Sequence, residues 1–335
     1  MKRLAVIFLI ILAGAGIMTL ILALTADQGN NDKLFVYSFR RANTTFSVPV
    51  PEKFSFADGA VPVELYYVHN AFERELTINT YWHTNTLMTM KRANRWFHAI
   101  DPILKANNIP ADFRYLPVIE SNLTNAVSPA GAAGFWQLME KTAIELGLEV
   151  NDEVDERFHL EKATEAASRY LNTAYERFGC WLLAAAAYNA GKERIERSLI
   201  NQKTNCYFNL HLNEETARFV YRLLAVKAIF ENPEKYGYNL RKRDLHQPVP
   251  YTEVTVSGSI ENLIDFALEH GVNYRLFKEF NPWLRSDKLT NHRNNTYVIK
   301  IPDITKLNHN ELLKIAPEPR LPVIQHLPLE ENEPR

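Results

Sequence analysis

Apolar residues recur every three or four positions along most of residues 63–240, a spacing that is typical of amphipathic helices. The clearest such segment begins at Glu161 and ends before Gly179. Residues 181–187 are apolar on every face, so we expect a helix that passes through the core. Further helices are predicted over 63–75, 86–107, 113–120 and 215–230. The predicted fold class is therefore mainly α.

The periodicity changes near residue 240, where a charged, proline-bearing connector ends the helical region. Residues 251–256 alternate between apolar and polar side chains like a β-strand, and residues 297–302 form a second strand-like run. The segments 260–270 and 274–281 between them have helical spacing. We therefore expect a small α+β module over 251–303, in the order strand, helix, helix, strand.

The N-terminus carries a long apolar run over residues 4–24, preceded by Lys2 and Arg3. About twenty apolar residues suffice for a helix that crosses a bilayer, and the basic residues favour a cytoplasmic N-terminus. We predict that residues 1–27 are a transmembrane anchor, with a signal segment cleaved at 24–26 as the open alternative. Either way the rest of the chain is expected to be exported and to face the periplasm.

Two other segments lack sustained periodicity. Residues 28–62 are polar and proline-bearing, and we interpret them as a linker between the anchor and the helical domain. Residues 304–335 combine prolines with glutamates, a composition that buries little apolar surface, so we expect a disordered tail.

Charge and cysteine content exclude several functions. The 38 basic and 39 acidic residues leave a formal net charge of -1 without a basic block, which argues against a nucleic-acid partner. Cys180 and Cys206 are the two cysteines, and either a disulfide or two free thiols is compatible with the sequence. Two cysteines make no thiolate metal site, and we expect no cofactor.

Glu120 is the candidate for chemistry. Val118 and Ile119 precede it, and Phe135 and Trp136 follow after a glycine-bearing loop. Loss of hydration in such surroundings favours the protonated form of a carboxyl, which then serves as a general acid near neutral pH. The alternative is a solvated glutamate at a helix end, which is what most glutamates are.

Sequence blocks on both sides of this loop support the first interpretation. They are Glu120-Ser121, Ser128-Pro129-Ala130-Gly131-Ala132, Gly134-Phe135-Trp136-Gln137 and Tyr188-Asn189-Ala190-Gly191. In this order they resemble the soluble lytic transglycosylase family of lysozyme-like enzymes. The further segments NIPADFRYLP, DERFHLEKATEAASRYL and EETARFV are most similar to its membrane-bound lytic murein transglycosylase D type. The resemblance implies a lysozyme-like helical catalytic domain over 63–240.

The resemblance also implies a substrate and a reaction. The substrate is peptidoglycan, the polymer of alternating N-acetylglucosamine and N-acetylmuramic acid. Glu120 donates its proton to the glycosidic oxygen of the β-1,4 bond after muramic acid, then accepts a proton from the C6 hydroxyl of the same sugar. That hydroxyl attacks C1 and closes a 1,6-anhydro ring. A hydrolytic muramidase and a non-catalytic peptidoglycan-binding protein are the alternatives, and protein partners stay unknown.

Roles carried over from the family fall on four polar residues besides the acid. Ser121 is expected to orient the sugar or the acid, and Gln137 to reach substrate from the loop. Tyr188 is expected to form a wall of the pocket. The amide of Asn189 offers a donor and an acceptor to the N-acetyl group or to Glu120.

Other residues near the blocks have structural interpretations. Gly131 and Gly134 allow a tight turn and a close approach of the backbone to the glycan. For Trp136 we favour a place in the core over a sugar-stacking role. The remaining acids of this region are typical of a solvated, turn-rich segment, and they are Asp152, Glu153, Asp155 and Glu156.

Two features depart from the family patterns. Phe219 stands where the corresponding family segment carries tyrosine, so a hydroxyl near the substrate or the acid is missing. The module over 251–303 resembles a LysM module through Asn281-Pro282 and its last strand, but Ser257-Gly258-Ser259 replaces the usual turn. Glycan binding and simple packing both stay open for this module.

Overall fold

The computed structural model describes residue 36 and residues 45–324. Within this part the chain is mainly helical, as predicted. The α-helices are α1 (Tyr66–Tyr81), α2 (His83–Ala106), α3 (Leu116–Ser121), α4 (Glu140–Glu145), α5 (Leu160–Phe178), α6 (Trp181–Ala190), α7 (Lys192–Gln202), α8 (Glu214–Glu231), α9 (Leu263–Glu269), α10 (Tyr274–Phe280) and α11 (His309–Lys314). The strands are β1 (Phe54–Phe56), β2 (Gly59–Val61), β3 (Tyr251–Val256) and β4 (Tyr297–Pro302).

Helix α6 runs through the core, as its apolar sequence predicts. All four consecutive alanines, from Ala184 to Ala187, are fully buried. Small side chains let neighbouring helix axes approach closely, and α6 packs against α5, α7 and α8. A second layer forms where α1 packs along α8. The helical domain is thus built around α6 and α8.

The predicted linker is wrong in its last part. Strands β1 and β2 form an antiparallel hairpin in which Phe54 pairs with Val61. Phe56 is buried against the helical core, and the backbone N–H of Ala57 donates to Oδ2 of Asp112 at 2.7 Å. The hairpin therefore belongs to the folded body, because its apolar face finds a partner that is distant in the sequence.

The C-terminal module has the predicted order of elements. β3 and β4 pair antiparallel with Tyr251 opposite Pro302 and Val256 opposite Tyr297. Helix α10 packs on β4, and α9 packs on α10. Phe277 and Ile299 are fully buried in the apolar core between these elements.

Residues 152–156 connect this module to the helical domain rather than forming a solvated segment. Asp155 and Glu156 are buried, and the backbone N–H of Asp155 donates to the carbonyl of Trp283 at 2.8 Å. Glu153 accepts a hydrogen bond from the backbone N–H of Thr290 at 2.6 Å, and this bond lowers the pKa of Glu153. The prediction of a solvated segment holds for Asp152, which is exposed, and is wrong for Asp155 and Glu156, because the module supplies backbone partners that no local pattern indicates.

The predicted disordered tail is also wrong up to residue 324. It contains α11, and beyond it the backbone N–H of Arg320 donates to Oδ1 of Asn94 at 3.0 Å. The N–H of Ile324 donates to the carbonyl of Leu240 at 2.8 Å, and Leu321 is buried. The segment returns to the helical domain through these few contacts. Residues 325–335 lie outside the described part of the chain.

The predicted anchor or signal segment, 1–27, also lies outside the described residues. In the part of the chain that is described, no helix is both long enough and apolar enough to span a bilayer. Cys180 and Cys206 are free thiols and form no disulfide with each other.

Candidate active site

Glu120 lies in the last turn of the short helix α3. Pro117 at the second helical position favours its start, and a 3₁₀ turn over Ala111–Tyr115 leads into it. The helix ends because Asn122 adopts a left-handed conformation with φ of 53°, followed by Leu123 with φ of 56°. This reversal places the carboxyl at the point where the glycine-bearing loop leaves the helix.

The carboxyl of Glu120 retains its proton at neutral pH. Burial raises its pKa to about 8, and the carboxylate of Glu215 adds to the rise, while the guanidinium of Arg222 opposes it. Tyr188 faces the same region, and burial together with the charge of Glu120 raises the pKa of its hydroxyl well above the ordinary value. The desolvation that the sequence indicates is present in the structure.

Two charged residues of α8, Arg222 and Glu215, act on Glu120, and Arg222 is linked to the buried Glu75 of α1; the sequence analysis missed this group. Glu75 is completely buried, and its Oε1 accepts a hydrogen bond from Nε of Arg218 at 2.8 Å. Nε of Arg222 lies 3.6 Å from Oε2 of the same carboxylate. Arg218 and Arg222 are four residues apart and lie on one face of α8, which the sequence could have indicated. Their buried partner Glu75, on α1, could not be inferred from the local sequence.

Ser121 and Gln137 hold the loop in place. The hydroxyl of Ser121 donates to the carbonyls of Phe135 and Pro117 at 2.8 and 3.1 Å. Nε2 of Gln137 donates to the carbonyls of Gly134 and Ala126 at 2.8 and 3.0 Å. Ser121 therefore fixes the loop against α3, and Gln137 joins two parts of the loop to each other. Their predicted contacts with substrate stay predictions.

A buried ion pair supports the loop from the other side. The guanidinium of Arg157 binds Asp155 bidentately, with Nε to Oδ1 at 2.9 Å and Nη2 to Oδ2 at 2.7 Å. Its Nη1 donates to the carbonyl of Gly131 at 3.0 Å. Gly134 has φ of +78°, and a Cβ there would lie 1.9 Å from the carbonyl oxygen of Arg157. Only glycine fits at this point of closest approach.

Tyr188 and Trp136 join the loop to the helical core. The hydroxyl of Tyr188, on α6, donates to the carbonyl of Trp136 at 2.7 Å. Trp136 is completely buried, and its indole N–H donates to Oγ1 of Thr164 at 2.8 Å. The core interpretation of Trp136 is confirmed, and Tyr188 is fixed next to Glu120 by its own hydroxyl.

Asn189 and Phe219 are the last two residues for which the sequence analysis predicted an effect on the site. Asn189 is half-buried on α6, and its side chain has no hydrogen-bond partner among the described residues, so its amide is available to a ligand. Phe219 is buried on α8 and presents no hydroxyl. The predicted role of Asn189 in substrate binding is not decided by these observations and stays a prediction.

Comparison with known families agrees with this architecture. Residues 99–210 match the family described as the transglycosylase SLT domain. Residues 252–305 match the family described as the soluble lytic transglycosylase C-terminal LysM-like domain. The chain thus carries an SLT transglycosylase domain of lysozyme-like fold and a LysM-like domain, which confirms both resemblances that the sequence blocks indicate.

Individual curated proteins are also similar to this chain. Membrane-bound lytic murein transglycosylase D of Escherichia coli (strain K12) is homologous, with 28% identity over 223 residues, or 65% of this chain and 48% of that protein. A putative tributyltin chloride resistance protein of Alteromonas sp. (strain M-1) is 31% identical over 120 residues, or 35% of this chain and 58% of that protein. The chain spans about half the length of the curated relatives it matches.

Two solved structures are also similar. The 70 kDa soluble lytic transglycosylase from Escherichia coli has 24% sequence identity and a TM-score of 0.36, covering 42% of this chain and 24% of that chain. An inactive mutant of lytic transglycosylase Slt from Pseudomonas aeruginosa has 17% identity and a TM-score of 0.37, covering 52% of this chain and 34% of that chain.

Proposed function

We propose that this protein is a peptidoglycan lytic transglycosylase that leaves a 1,6-anhydromuramic acid end. The observation that carries the proposal is the half-buried, desolvated carboxyl of Glu120, whose pKa is raised to about 8. An acid of this kind is protonated at neutral pH and becomes a base once it has given its proton away. The SLT domain that contains Glu120 supports the same conclusion.

The reaction requires one residue to act twice. Glu120 donates its proton to the oxygen of the β-1,4 bond between N-acetylmuramic acid and N-acetylglucosamine, and the bond to C1 breaks. The resulting carboxylate accepts the proton of the C6 hydroxyl, whose oxygen forms the new bond to C1. No water is consumed. Tyr188 stands beside the acid, and the free amide of Asn189 is the proposed partner of the N-acetyl group.

A hydrolytic muramidase is the second candidate, and Glu215 is the observation that favours it. Most glycosidases use two carboxylates, and Glu215 is the other carboxylate among the described residues whose charge acts on Glu120. In that case an activated water replaces the C6 hydroxyl, and the product carries a reducing end.

The proposal also covers the cellular location of the protein and the role of its LysM-like module. Residues 1–27 anchor the protein in the membrane, or direct its export, so that the catalytic domain over 63–240 faces the periplasm. The LysM-like module over 251–303 adds contacts to the glycan strand. The exported location agrees with a relative that is described as membrane-bound.

Product analysis of digested cell-wall sacculi tests the function. The wild type is expected to release anhydro-ended muropeptides, which mass spectrometry distinguishes from reducing ends by one water. Glu120→Gln removes the proposed proton donor and is expected to lower release by at least about 100-fold. Glu145→Gln, on the exposed surface of α4, is the matched control and should act like wild type.

The outcomes separate the alternatives. Reducing ends from the wild type identify a hydrolase and contradict the transglycosylase proposal. If the wild type binds sacculi but releases nothing, the protein is a non-catalytic wall-binding protein.

A further inference from the structure

A cavity of about 590 Å³ lies between helix α2 and the LysM-like module. This volume is within the range of about 300–1,000 Å³ that is typical of small-molecule sites. Its walls include the α2 residues Arg92 and Arg95 and the module residues Phe280 and Trp283. Glu120, Gln137, Tyr188 and Asn189 are not among the lining residues, so the cavity is separate from the candidate active site.

Two guanidinium groups in this cavity form no salt bridge with the residues that the structure describes. Arg92 and Arg95 are partly buried and lie three residues apart on one face of α2. Nε of Arg92 donates to the carbonyl of Asn122 at 2.8 Å, and Nε of Arg95 donates to the carbonyl of Gln247 at 2.9 Å. Within the described residues, no carboxylate lies within 4 Å of either guanidinium. Arginine stays charged even when buried, so an anion that entered would relieve a desolvation cost.

His98 also lines the cavity and carries an unsatisfied ring nitrogen. Its Nδ1 accepts a hydrogen bond from Nε of Arg320 at 3.1 Å, which places the proton of the neutral ring on Nε2. Burial and the charge of Arg320 lower the pKa of His98, so the ring is neutral at pH 7. Nε2 is buried without an acceptor.

The acidic residues in the walls do not cancel these donors. Glu161 is paired with Lys300 and with His159. Glu279 lies farther than 4 Å from Arg95, although its charge raises the pKa of that arginine. The end of the cavity formed by α2 therefore stays positively charged.

The wall that faces α2 contains several apolar and aromatic side chains. The ring of Trp96 packs edge-on against Phe135 with centroids 5.2 Å apart, and Phe280, Trp283 and Pro282 form the facing wall. Such walls suit methyl and methylene groups. The cavity thus combines a positively charged end with apolar and aromatic surface on the facing wall.

We propose that this cavity is a second, non-catalytic site that binds a short carboxylate-bearing peptide of the kind attached to the glycan strands of peptidoglycan. The identity of the ligand rests on the proposed function. Carboxylates pair with guanidinium groups through short, charge-assisted hydrogen bonds, and alanine side chains fit the apolar walls. An uncharged N-acetyl sugar would leave both guanidinium charges without a partner.

The site is connected to the catalytic loop through two direct contacts. Arg92 holds the carbonyl of Asn122, two residues after Glu120, and Phe135 accepts the hydrogen bond of Ser121. A peptide in the cavity would therefore contact residues that hold the segments on both sides of the acid.

Isothermal titration of the full-length protein with the peptide L-Ala-γ-D-Glu-meso-diaminopimelate tests the proposal. Arg95→Gln removes one charge and is expected to weaken binding at least about tenfold. Ala99→Phe leaves charge unchanged and fills the cavity, so it is expected to abolish binding. Arg197→Gln, on the exposed surface of α7, is the matched control and should bind like wild type. Thermal unfolding of each variant reports whether it is folded.

Two ligand controls need no variant. The same peptide with its carboxylates converted to carboxamides is expected to bind at least about tenfold more weakly. Chitotetraose is an uncharged glycan, and its binding should not respond to Arg95→Gln or Ala99→Phe.

The results that overturn the inference are distinct from those that overturn the proposed function. No binding of the peptide, or binding that both folded variants retain, contradicts the second site even if anhydro-ended products form. Loss of chitotetraose binding in the same two variants identifies a glycan site instead. Peptide binding without any glycan cleavage leaves the second site standing and contradicts only the transglycosylase proposal.

Discussion

At the residue scale, the pKa of Glu120 reflects a balance between burial and charge. Loss of hydration raises it, and Arg222 alone among the contributing groups lowers it. Arg222 is close to the buried carboxylate of Glu75, which neutralises part of its positive charge. A fully unpaired arginine at this position would stabilise the ionised form of Glu120 and weaken it as an acid.

Glu120→Gln is expected to stabilise the protein increasingly as pH rises from about 5 to about 8. Free glutamate loses its proton near pH 4.5, whereas folded Glu120 retains it up to about pH 8. The folded state therefore binds more protons in this interval, and wild-type stability falls with rising pH by at most about 1.4 kcal/mol per pH unit from this group. Urea unfolding of wild type and variant at several pH values measures the difference.

Glutamine has nearly the same shape as glutamate and does not ionise, so the pH-dependent difference between wild type and Glu120→Gln reports the titration of Glu120. Glu145→Gln serves as the control, since that carboxyl is exposed on α4. A difference between wild type and Glu120→Gln that is constant from pH 5 to 8 would show that the carboxyl is not desolvated.

At the element scale, the loop between α3 and α4 is held by contacts from several parts of the chain. Ser121 fixes its start against Phe135, and Arg157 binds the carbonyl of Gly131 in its middle. Tyr188 binds the carbonyl of Trp136 near its end. A loop that has little regular secondary structure thus acquires a defined geometry through hydrogen bonds to its backbone.

Substitution by alanine is expected to lower the unfolding free energy by different amounts at two glycines of this loop. Gly134→Ala forces φ of +78° on alanine and places its Cβ 1.9 Å from the carbonyl oxygen of Arg157, so we expect a loss of at least about 3 kcal/mol in unfolding free energy. Gly131→Ala has φ of +86° but meets no atom within 4 Å, and a loss of only about 1–2 kcal/mol is expected. Urea denaturation measures both.

Each of the two variants is the control for the other, because both add one methyl group at a glycine with positive φ. Equal losses for the two variants would show that the backbone near Gly134 moves away from Arg157 without cost.

At the scale of the whole molecule, the SLT domain and the LysM-like module share an apolar cluster. Val154 and Phe158 from the helical side lie in the same cluster as Leu284 and Trp283. The guanidinium of Arg285 stacks over the ring of Phe158 at 4.4 Å. Backbone hydrogen bonds between the two parts accompany this cluster, so we expect residues 48–324 to unfold cooperatively.

Phe158→Ala is expected to separate the unfolding of the module from that of the helical domain. The ring is buried, and its removal costs about 3–5 kcal/mol, most of it at the shared cluster. Differential scanning calorimetry should show one main transition for wild type and two for the variant. Phe158→Leu retains most of the apolar contact and should keep a single transition. Two separate transitions in the wild type would contradict the shared cluster.

Several elements are encoded locally and could be predicted from the sequence. The strands over Tyr251–Val256 and Tyr297–Pro302 have the predicted bounds, and α6 is buried on the faces that its apolar sequence indicates. Helical and alternating periodicities record which side of an element faces the core. The position of Glu120 within an apolar surround was visible for the same reason.

Other features were decided by contacts between distant parts of the chain. The hairpin at Phe54–Val61, the return of residues 315–324 and the burial of Asp155 all depend on partners more than 30 residues away in the sequence, or on the module as a whole. The charges that act on Glu120 come from α8, about 100 residues later in the chain. By itself the sequence determined most of the longer helices, the two module strands and the identity of the candidate acid, because short-range periodicity and composition encode them. Only the tertiary structure decided which polar groups are buried together, because desolvation and pairing depend on what packs around a side chain.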